Sequence, residues 1–260
     1  APFYAAAALC LLNCLYGYFL LPESLPKTNR RPFQWKRANP LGSLGFLVKH
    51  PEIRSLAVSF FLIYLGAQAV QGNWNFFTIY RFGWSEKMVG ISLAVVGVLV
   101  GAVQGGLTRV VVPKLGTERS IYLGLGLYTL GLVLFAVATQ GWMMFLFLVP
   151  YCLGGICGPS LQSVISVHVP SNQQGELQGA LTGLMSVTTI FGPLIMNHTF
   201  AYFTSQKAPV HFPGIHFLIG AACMLMSIII IWQVLQREKR KKLVREAAMV
   251  EAKQVEEVKS

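Results

Sequence analysis

Residues 120–175 read SIYLGLGLYTLGLVLFAVATQGWMMFLFLVPYCLGGICGPSLQSVISVHVPSNQQG, 56 consecutive residues without Lys, Arg, Asp or Glu. Crossing a bilayer as a helix takes about 20 apolar residues. The stretch therefore holds two crossings, with a turn at Thr139-Gln140-Gly141. Helices are expected because lipid offers no partner to an open backbone. A membrane barrel would show alternating segments of about 10 residues, whereas this run is far longer and uniformly apolar.

The pattern extends in both directions. Residues 1–22, 55–80, 88–108, 177–206 and 208–236 also lack all four charged types. Seven spans follow, at 2–21, 55–79, 88–109, 120–139, 143–167, 177–203 and 212–235, and the expected fold class is an all-α membrane protein. Composition agrees. Of 260 residues only 12% are charged, against about 25% in an ordinary soluble domain. Too few charges remain to cover a soluble surface, and 54% apolar residues exclude disorder. The five cysteines are odd in number and lie in apolar runs, which excludes a secreted disulfide framework. They read as small apolar residues in helices.

Seven spans place the loops on alternating sides, so the 21 basic residues can be sorted. The loop between spans one and two carries Lys27, Arg30, Arg31, Lys36, Arg37, Lys49 and Arg54; the loop after span three carries Arg109, Lys114 and Arg119. With the eight Lys and Arg from Arg237 onward, eighteen lie on one side. The other side holds Arg81, Lys87 and Lys207. The asymmetry assigns the eighteen-charge side, tail included, to the cytoplasm. The net charge of +11 is then topology and attraction to anionic headgroups rather than nucleic-acid binding.

The domain reading is a first transmembrane helix at 1–22, a central cytoplasmic loop at 23–54, a six-helix bundle at 55–235 and a basic tail at 236–260. In the loop, Leu41, Leu44, Leu47 and Val48 recur at helical spacing, predicting an interfacial helix over 41–49. The tail reads as a surface helix or a disordered end. Ala1 opens directly on an apolar run with no charged n-region, so a fragment of a longer protein is expected rather than a signal peptide.

Polar residues inside spans are costly and therefore informative. Span two carries Gln68, Gln71, Asn75 and Thr78, spaced 3, 4 and 3, on one helical face with Tyr64. Span six carries Gln178, Thr182, Ser186 and Thr189, again one face; span five carries Ser160, Gln162, Ser163 and Ser166; span three carries Gln104. Two aligned stripes suggest a shared aqueous cavity, the alternative being hydrogen-bond glue between helices. Trp74 either stacks on a flat ligand or packs, and Tyr128 is a second aromatic candidate. Gly97, Gly101 and Gly105 form two small-xxx-small steps that read as packing. Gly158-Pro159 and Gly192-Pro193 weaken the helix ladder, a feature that recurs in transporters.

All ten acidic residues are Glu and lie in loops or the tail. A proton-coupled carrier usually needs a titratable group inside the bilayer, so here either such a group comes from outside this chain or there is no proton coupling. His50, His168, His198, His211 and His216 never pair with Cys or a carboxylate at ligand spacing, and no metal site is expected. No phosphate-binding glycine loop with Lys is present. An enzyme is not expected, since no buried acid, base, nucleophile or metal set is visible.

Several blocks resemble the C-terminal portion of the tetracycline-resistance branch of the major facilitator superfamily, the drug/proton antiporters. They are Leu21-Pro22-Glu23-Ser24-Leu25, Pro32-Phe33-Gln34-Trp35-Lys36-Arg37, Arg81-Phe82-Gly83-Trp84, and Gln173-Gln174-Gly175 with Leu177-Gln178-Gly179. The resemblance makes the seven spans helices six to twelve of a twelve-helix carrier, with the N-terminal helices as the missing partner. It implies a cavity between two halves, alternating access, and export of amphiphilic drugs driven by a proton gradient across a bacterial inner membrane, with no bound cofactor. Gln68, Trp74, Gln104, Gln162 and Gln178 fall where that family has the same residue types. Val100 and Tyr128 stand where the tetracycline exporters carry a histidine and an acidic residue. The expected substrate range is accordingly another or a broader one. A facilitator or uptake symporter of the same fold is the alternative, and a seven-helix receptor the rival from another class.

Overall fold

The computed structural model describes residues 2–22, 45–48 and 50–259. Among these the chain is helical, with no strand. The helices are α1 (Pro2–Phe19), α2 (Pro51–Gln71), α3 (Trp74–Phe82), α4 (Glu86–Ala102) and α5 (Thr108–Leu115). They continue with α6 (Thr117–Val137), α7 (Gly141–Leu153), α8 (Cys157–Val167), α9 (Gln174–Thr204) and α10 (Ile215–Lys259). Six stretches are long and apolar enough to cross a bilayer: Ile53–Gln71, Glu86–Leu115, Thr117–Val137, Gly141–Val167, Ser171–Thr204 and Ile215–Arg240. The apolar part of α1, Phe3–Phe19, is shorter at 17 residues, near the minimum for a span. Its side chains are exposed, Phe3 at 87% and Tyr18 at 81%.

Helix starts explain where the carboxylates sit. Glu86, Glu118 and Glu176 occupy the first turns of α4, α6 and α9, where the partial positive charge of the helix end favours an anion. The Arg81-Phe82-Gly83-Trp84 block is a turn with a mechanism. Gly83 adopts φ 64° to close α3, a left-handed conformation that favours glycine. Ser85 then caps α4, its hydroxyl accepting from the Met88 N–H at 3.4 Å.

Lipid tails are as apolar as leucine, so the bundle is held by close packing rather than by hydrophobic burial. One close crossing sets α2 against α10. A Cβ on Gly66 would lie 2.8 Å from the Gly220 carbonyl oxygen, and one on Gly220 would lie 2.9 Å from that of Gly66. The Ser227 hydroxyl donates to the Ser59 carbonyl across the same interface at 3.3 Å. On its other side α10 meets α6, and Trp74, Phe77, Phe135 and Phe217 interlock in edge-to-face and tilted contacts at 4.9–5.5 Å where α3, α6 and α10 converge. Cys152, Cys157 and Cys223 are buried as free thiols, while Cys10 and Cys14 are exposed on α1.

Several sequence expectations are corrected. Span two is not one helix: it breaks at Gly72-Asn73 between α2 and α3, so the stripe from Gln68 to Thr78 is divided. The break packs on α9, where a Cβ on Gly72 would come 3.4 Å from Pro193 Cα. In span five the irregular turn is at Gly154–Ile156, ahead of Gly158-Pro159. Pro159 falls in the first turn of α8, where a helix needs no N–H donor. Gly192-Pro193 causes no break, since α9 runs 31 residues with Pro193 inside it. An unforeseen wide turn, Val103–Leu107, interrupts span three, and the Thr108 hydroxyl donates to the Val103 carbonyl there. Among the described residues the Gly97, Gly101 and Gly105 stripe packs on nothing: a Cβ on each meets no atom within 4 Å.

The predicted helix over 41–49 is helical at 45–48, and Leu41, Leu44 and Lys49 lie outside the described residues. Phe46 and Leu47 are each only 7% exposed and join the core. Beyond residue 236, α10 continues without a break as a 45-residue helix. At 1.5 Å per residue it is about 67 Å long, more than twice the hydrocarbon thickness.

Candidate functional site

The candidate site is a polar face shared by α2, α8 and α9. An interhelical side-chain bond joins two predicted residues: Gln162 Nε2 of α8 donates to Gln178 Oε1 of α9 at 2.6 Å. From α2, Gln68 is 6% exposed and packs over Gly192, where a Cβ would collide with its side chain. One turn earlier Tyr64 approaches α8, its hydroxyl 3.9 Å from where a Gly158 Cβ would stand. Gln71 and Asn75 are exposed on either side of the α2–α3 break. Glycine at 192 thus lets α9 come close to α2, a packing role in place of the predicted helix break, whereas a Cβ at 158 would fit in ordinary contact.

The hydroxyls of α9 are arranged differently. Gln178, Thr182, Ser186 and Thr189 do share one exposed face. Ser186 Oγ, however, donates to the Thr182 carbonyl at 3.0 Å, and Thr189 Oγ1 to the Met185 carbonyl at 2.9 Å. Bonds back to the same helix remove most of the cost of facing lipid, so these hydroxyls alone do not require a cavity. The amides cannot satisfy themselves in this way, and they are the informative members of the stripe.

Four predicted residues lie elsewhere. Trp74 is a core residue: it is 3% exposed, its Nε1 donates to Ser92 Oγ at 2.9 Å, and its ring meets Phe135 at 5.2 Å. No ring face is left for a ligand. Tyr128 turns into the α6–α7 interface, its hydroxyl donating to that of Tyr151 at 3.1 Å. Ser166 is near the end of α8, where its carbonyl accepts from Gln174 Nε2. Gln104 is exposed within the wide turn that follows α4.

The fold also supplies polar features that spacing did not show. His168 Nε2 lies 2.9 Å from Glu238 Oε1, and Lys239 Nζ lies 2.6 Å from Glu118 Oε2, tying α10 to the ends of α8 and α6. The first pair spans 70 residues of sequence, so no local motif announces it. Asn73, Asn197 and His216 have buried side-chain atoms with no partner among the described residues. None of the three belongs to the stripes that helical spacing marks out. Among the described residues no group of three His, Cys, Asp or Glu is placed to hold a metal ion.

Among the described residues, two of the surface cavities are of ligand size. One, of about 590 Å3, lies between the α3–α4 and α6–α7 turns around Arg81, Trp84 and Trp142. The other, of about 400 Å3, lies between α3 and α9. None of the predicted site residues lines either one. Gln71, Asn75 and Gln178 lie on open surface, with Gln68 buried beside them.

Comparison with known proteins accords with this architecture. The chain is 38% identical over 228 residues to the class C tetracycline resistance protein of Escherichia coli, covering 88% of this chain and 56% of that protein. It is 34% identical over 234 residues to the class E protein of the same organism, covering 89% and 56%. The human Hippocampus abundant transcript-like protein 1 is 26% identical over 244 residues, with 86% and 48% covered. The chain thus spans about half the length of these relatives. The human organic anion transporter MFSD10 (TETRAN) shares the fold, with a TM-score of 0.69 at 21% identity over 88% of this chain and 55% of that one. A family model described as Major Facilitator Superfamily matches residues 1–193 and 114–257, and the chain, tetracycline-resistance-like in sequence, belongs to that superfamily.

Proposed function

We propose that this chain is the C-terminal six-helix half, with the preceding helix, of a secondary carrier that exports amphiphilic drugs or other small molecules by alternating access. One observation carries the reading. The two spans bearing Gln104 and Gln178 are the least buried, 28% or less of their apolar windows, against 39–61% for the other four. Amides directed at lipid are costly. A second layer of protein enclosing a wet cavity removes that cost, which is how carriers build a site between two halves. The relatives named for tetracycline resistance supply the drug class.

The energy source proposed is a proton gradient, with the titratable group in helices outside this chain. The membrane proposed is the bacterial inner membrane, with the C-terminus in the cytoplasm. Efflux by the full-length protein in vesicles, with and without a pH gradient, tests the coupling. Gradient-independent equilibration would favour the facilitator, and accumulation in the opposite direction the uptake symporter. Topology has its own test. Lys36→Cys, Lys114→Cys and Trp142→Cys are treated in intact cells with an impermeant thiol reagent, and only the last is expected to react.

The amide face yields a third measurement. Gln162→Ala and Gln178→Ala should each weaken substrate binding about 2- to 12-fold, the range for losing one hydrogen bond. Because the two side chains are bonded to each other, the double substitution should cost less than the sum. Gln71→Ala should fall in the same range, with Leu62→Ala as the near-silent control. Unchanged binding in all three amide variants would make the face packing glue.

A further inference from the structure

The 590 Å3 cavity lies where the α3–α4 and α6–α7 turns meet at one end of the bundle, and no residue of the amide face lines it. Arg81, which does, is six residues beyond Asn75 and so about 120° around α3 from it. Trp84 is 9% exposed, its ring packed on Phe82 at 6.1 Å and on Phe145 at 5.4 Å. Its Nε1 stands beside the first residue of α7, where a Cβ on Gly141 would lie 2.6 Å from it. That N–H has no hydrogen-bond partner among the described residues. Unlike the Asn73 amide atoms, which are sealed off, it stays accessible in the cavity wall. Arg81 is exposed on the same wall and forms no ion pair among the described residues.

The neighbouring polar groups are donors as well. α7 starts at Gly141 with neither a capping side chain nor an acidic residue in its first turn, whereas α4, α6 and α9 carry a glutamate there. The N–H groups of Gly141 and Trp142 have no carbonyl within that helix to bond, and such a helix start favours an anion. Gln140 Oε1 accepts from Trp142 Nε1, which leaves Gln140 Nε2 as a further donor. Glu86 and Lys87 follow in the first turn of α4 but do not line the cavity, and no carboxylate does. A guanidinium fork matches two oxygens of a phosphate. Trp142, 59% exposed, and Met88 add apolar surface beside these donors, the mixture that suits a lipid–water boundary.

We propose that this cavity binds the headgroup of an anionic phospholipid, its phosphodiester held by Arg81, the Trp84 indole N–H and the first turn of α7, and the start of its acyl chains lying against Trp142 and Met88. The volume is within the range of about 300–1,000 Å3 usual for ligand sites. A zwitterionic lipid fits less well, because its ammonium group would meet no carboxylate. The ligand is a component of the membrane rather than a transported molecule, so the site goes beyond the carrier reading and does not rest on it.

The test uses the detergent-solubilised full-length protein carrying Thr139→Cys, an exposed position in the lining. Its labelling by N-ethylmaleimide is timed by mass spectrometry of the peptide that carries it. Four competitors are compared: dioctanoyl phosphatidylglycerol, dioctanoyl phosphatidylethanolamine, dioctanoylglycerol and glycerophosphoglycerol. The first should slow labelling at concentrations where the other three do not. Arg81→Gln should raise its half-effective concentration about 5- to 20-fold, the loss of a charge-assisted bond in a site open to water. Arg81→Lys, which keeps the charge without the fork, should fall between. Trp84→Phe, which removes the N–H and keeps an aromatic ring, should raise it about 2- to 12-fold. Lys87→Gln should have no effect. Arg81→Gln should also melt with the parent protein when no lipid is added, since the guanidinium has no partner to lose. Equal protection by dioctanoylglycerol would leave only an apolar crevice, and equal protection by glycerophosphoglycerol a site for soluble anions; either overturns the proposal. So do equal protection by phosphatidylethanolamine, no protection, protection indifferent to Arg81→Gln, or an equal effect of Lys87→Gln. A loss of folded protein in lipid-free Arg81→Gln overturns it too, by giving the guanidinium a partner within the protein.

Discussion

Trp74→Ala is expected to destabilise the protein by about 3 kcal/mol. Removing a buried Trp or Phe from a soluble core costs about 3–5 kcal/mol, from lost transfer free energy plus the cavity left behind. In a membrane the lower end applies, because lipid solvates an unpacked indole almost as well as the core does. What is lost is contact with Phe135 and Trp84 and the bond to Ser92. Trp74→Phe should recover most of the packing, since Ser92 Oγ keeps its own bond to the Val89 carbonyl at 2.7 Å. Melting of the detergent-solubilised full-length protein reads the stability, and ligand affinity per folded molecule should stay constant. A Trp74→Ala protein that melts normally but binds substrate weakly would return Trp74 to the ligand surface.

Gly66→Val should be comparably damaging by the opposite mechanism. Overpacking a well-packed site usually costs about 1–3 kcal/mol, occasionally more. Here the atom in the way is the Gly220 carbonyl oxygen at 2.8 Å, with Met224 Cε at 2.9 Å. The methionine end can turn aside. The backbone of α10 can move only as a whole helix, so about 3 kcal/mol or more is expected. Gly126→Ala is the control, since a Cβ there meets nothing within 4 Å. Gly158→Ala should also be mild, with only the Tyr64 hydroxyl at 3.9 Å. If Gly66→Val melts with the wild type, the α2–α10 crossing is looser than the geometry describes.

Whether a polar residue meets solvent, a neighbouring helix or its own backbone proved the least legible property of the chain. Gln162 and Gln178 were paired with their stripes by spacing, and the fold joins them. Trp74 and Tyr128 carried the same weight and turned into the interior. Asn73 and Asn197 belong to no stripe, although a buried amide is costly wherever it points. Periodicity extrapolates a straight helix, and the break at Gly72-Asn73 ends its validity between Gln71 and Trp74.

Charge-free length was sufficient to establish a multi-pass helical membrane protein. Hydrocarbon thickness sets how many apolar residues a span needs, and the absence of backbone partners in lipid forces them into helices. The turn at Arg81-Phe82-Gly83-Trp84 came from the structure, where Gly83 takes the left-handed position that glycine adopts easily. Which face of each helix packs, and on what, was decided by tertiary structure alone. In water, burial writes an apolar stripe into a helix sequence. In a bilayer both faces are apolar, and the choice between them rests on shape: Gly66 against Gly220, Gln68 over Gly192, Trp74 into the ring cluster. Shape complementarity belongs to pairs of distant residues, so it has no period along the chain from which it could have been read.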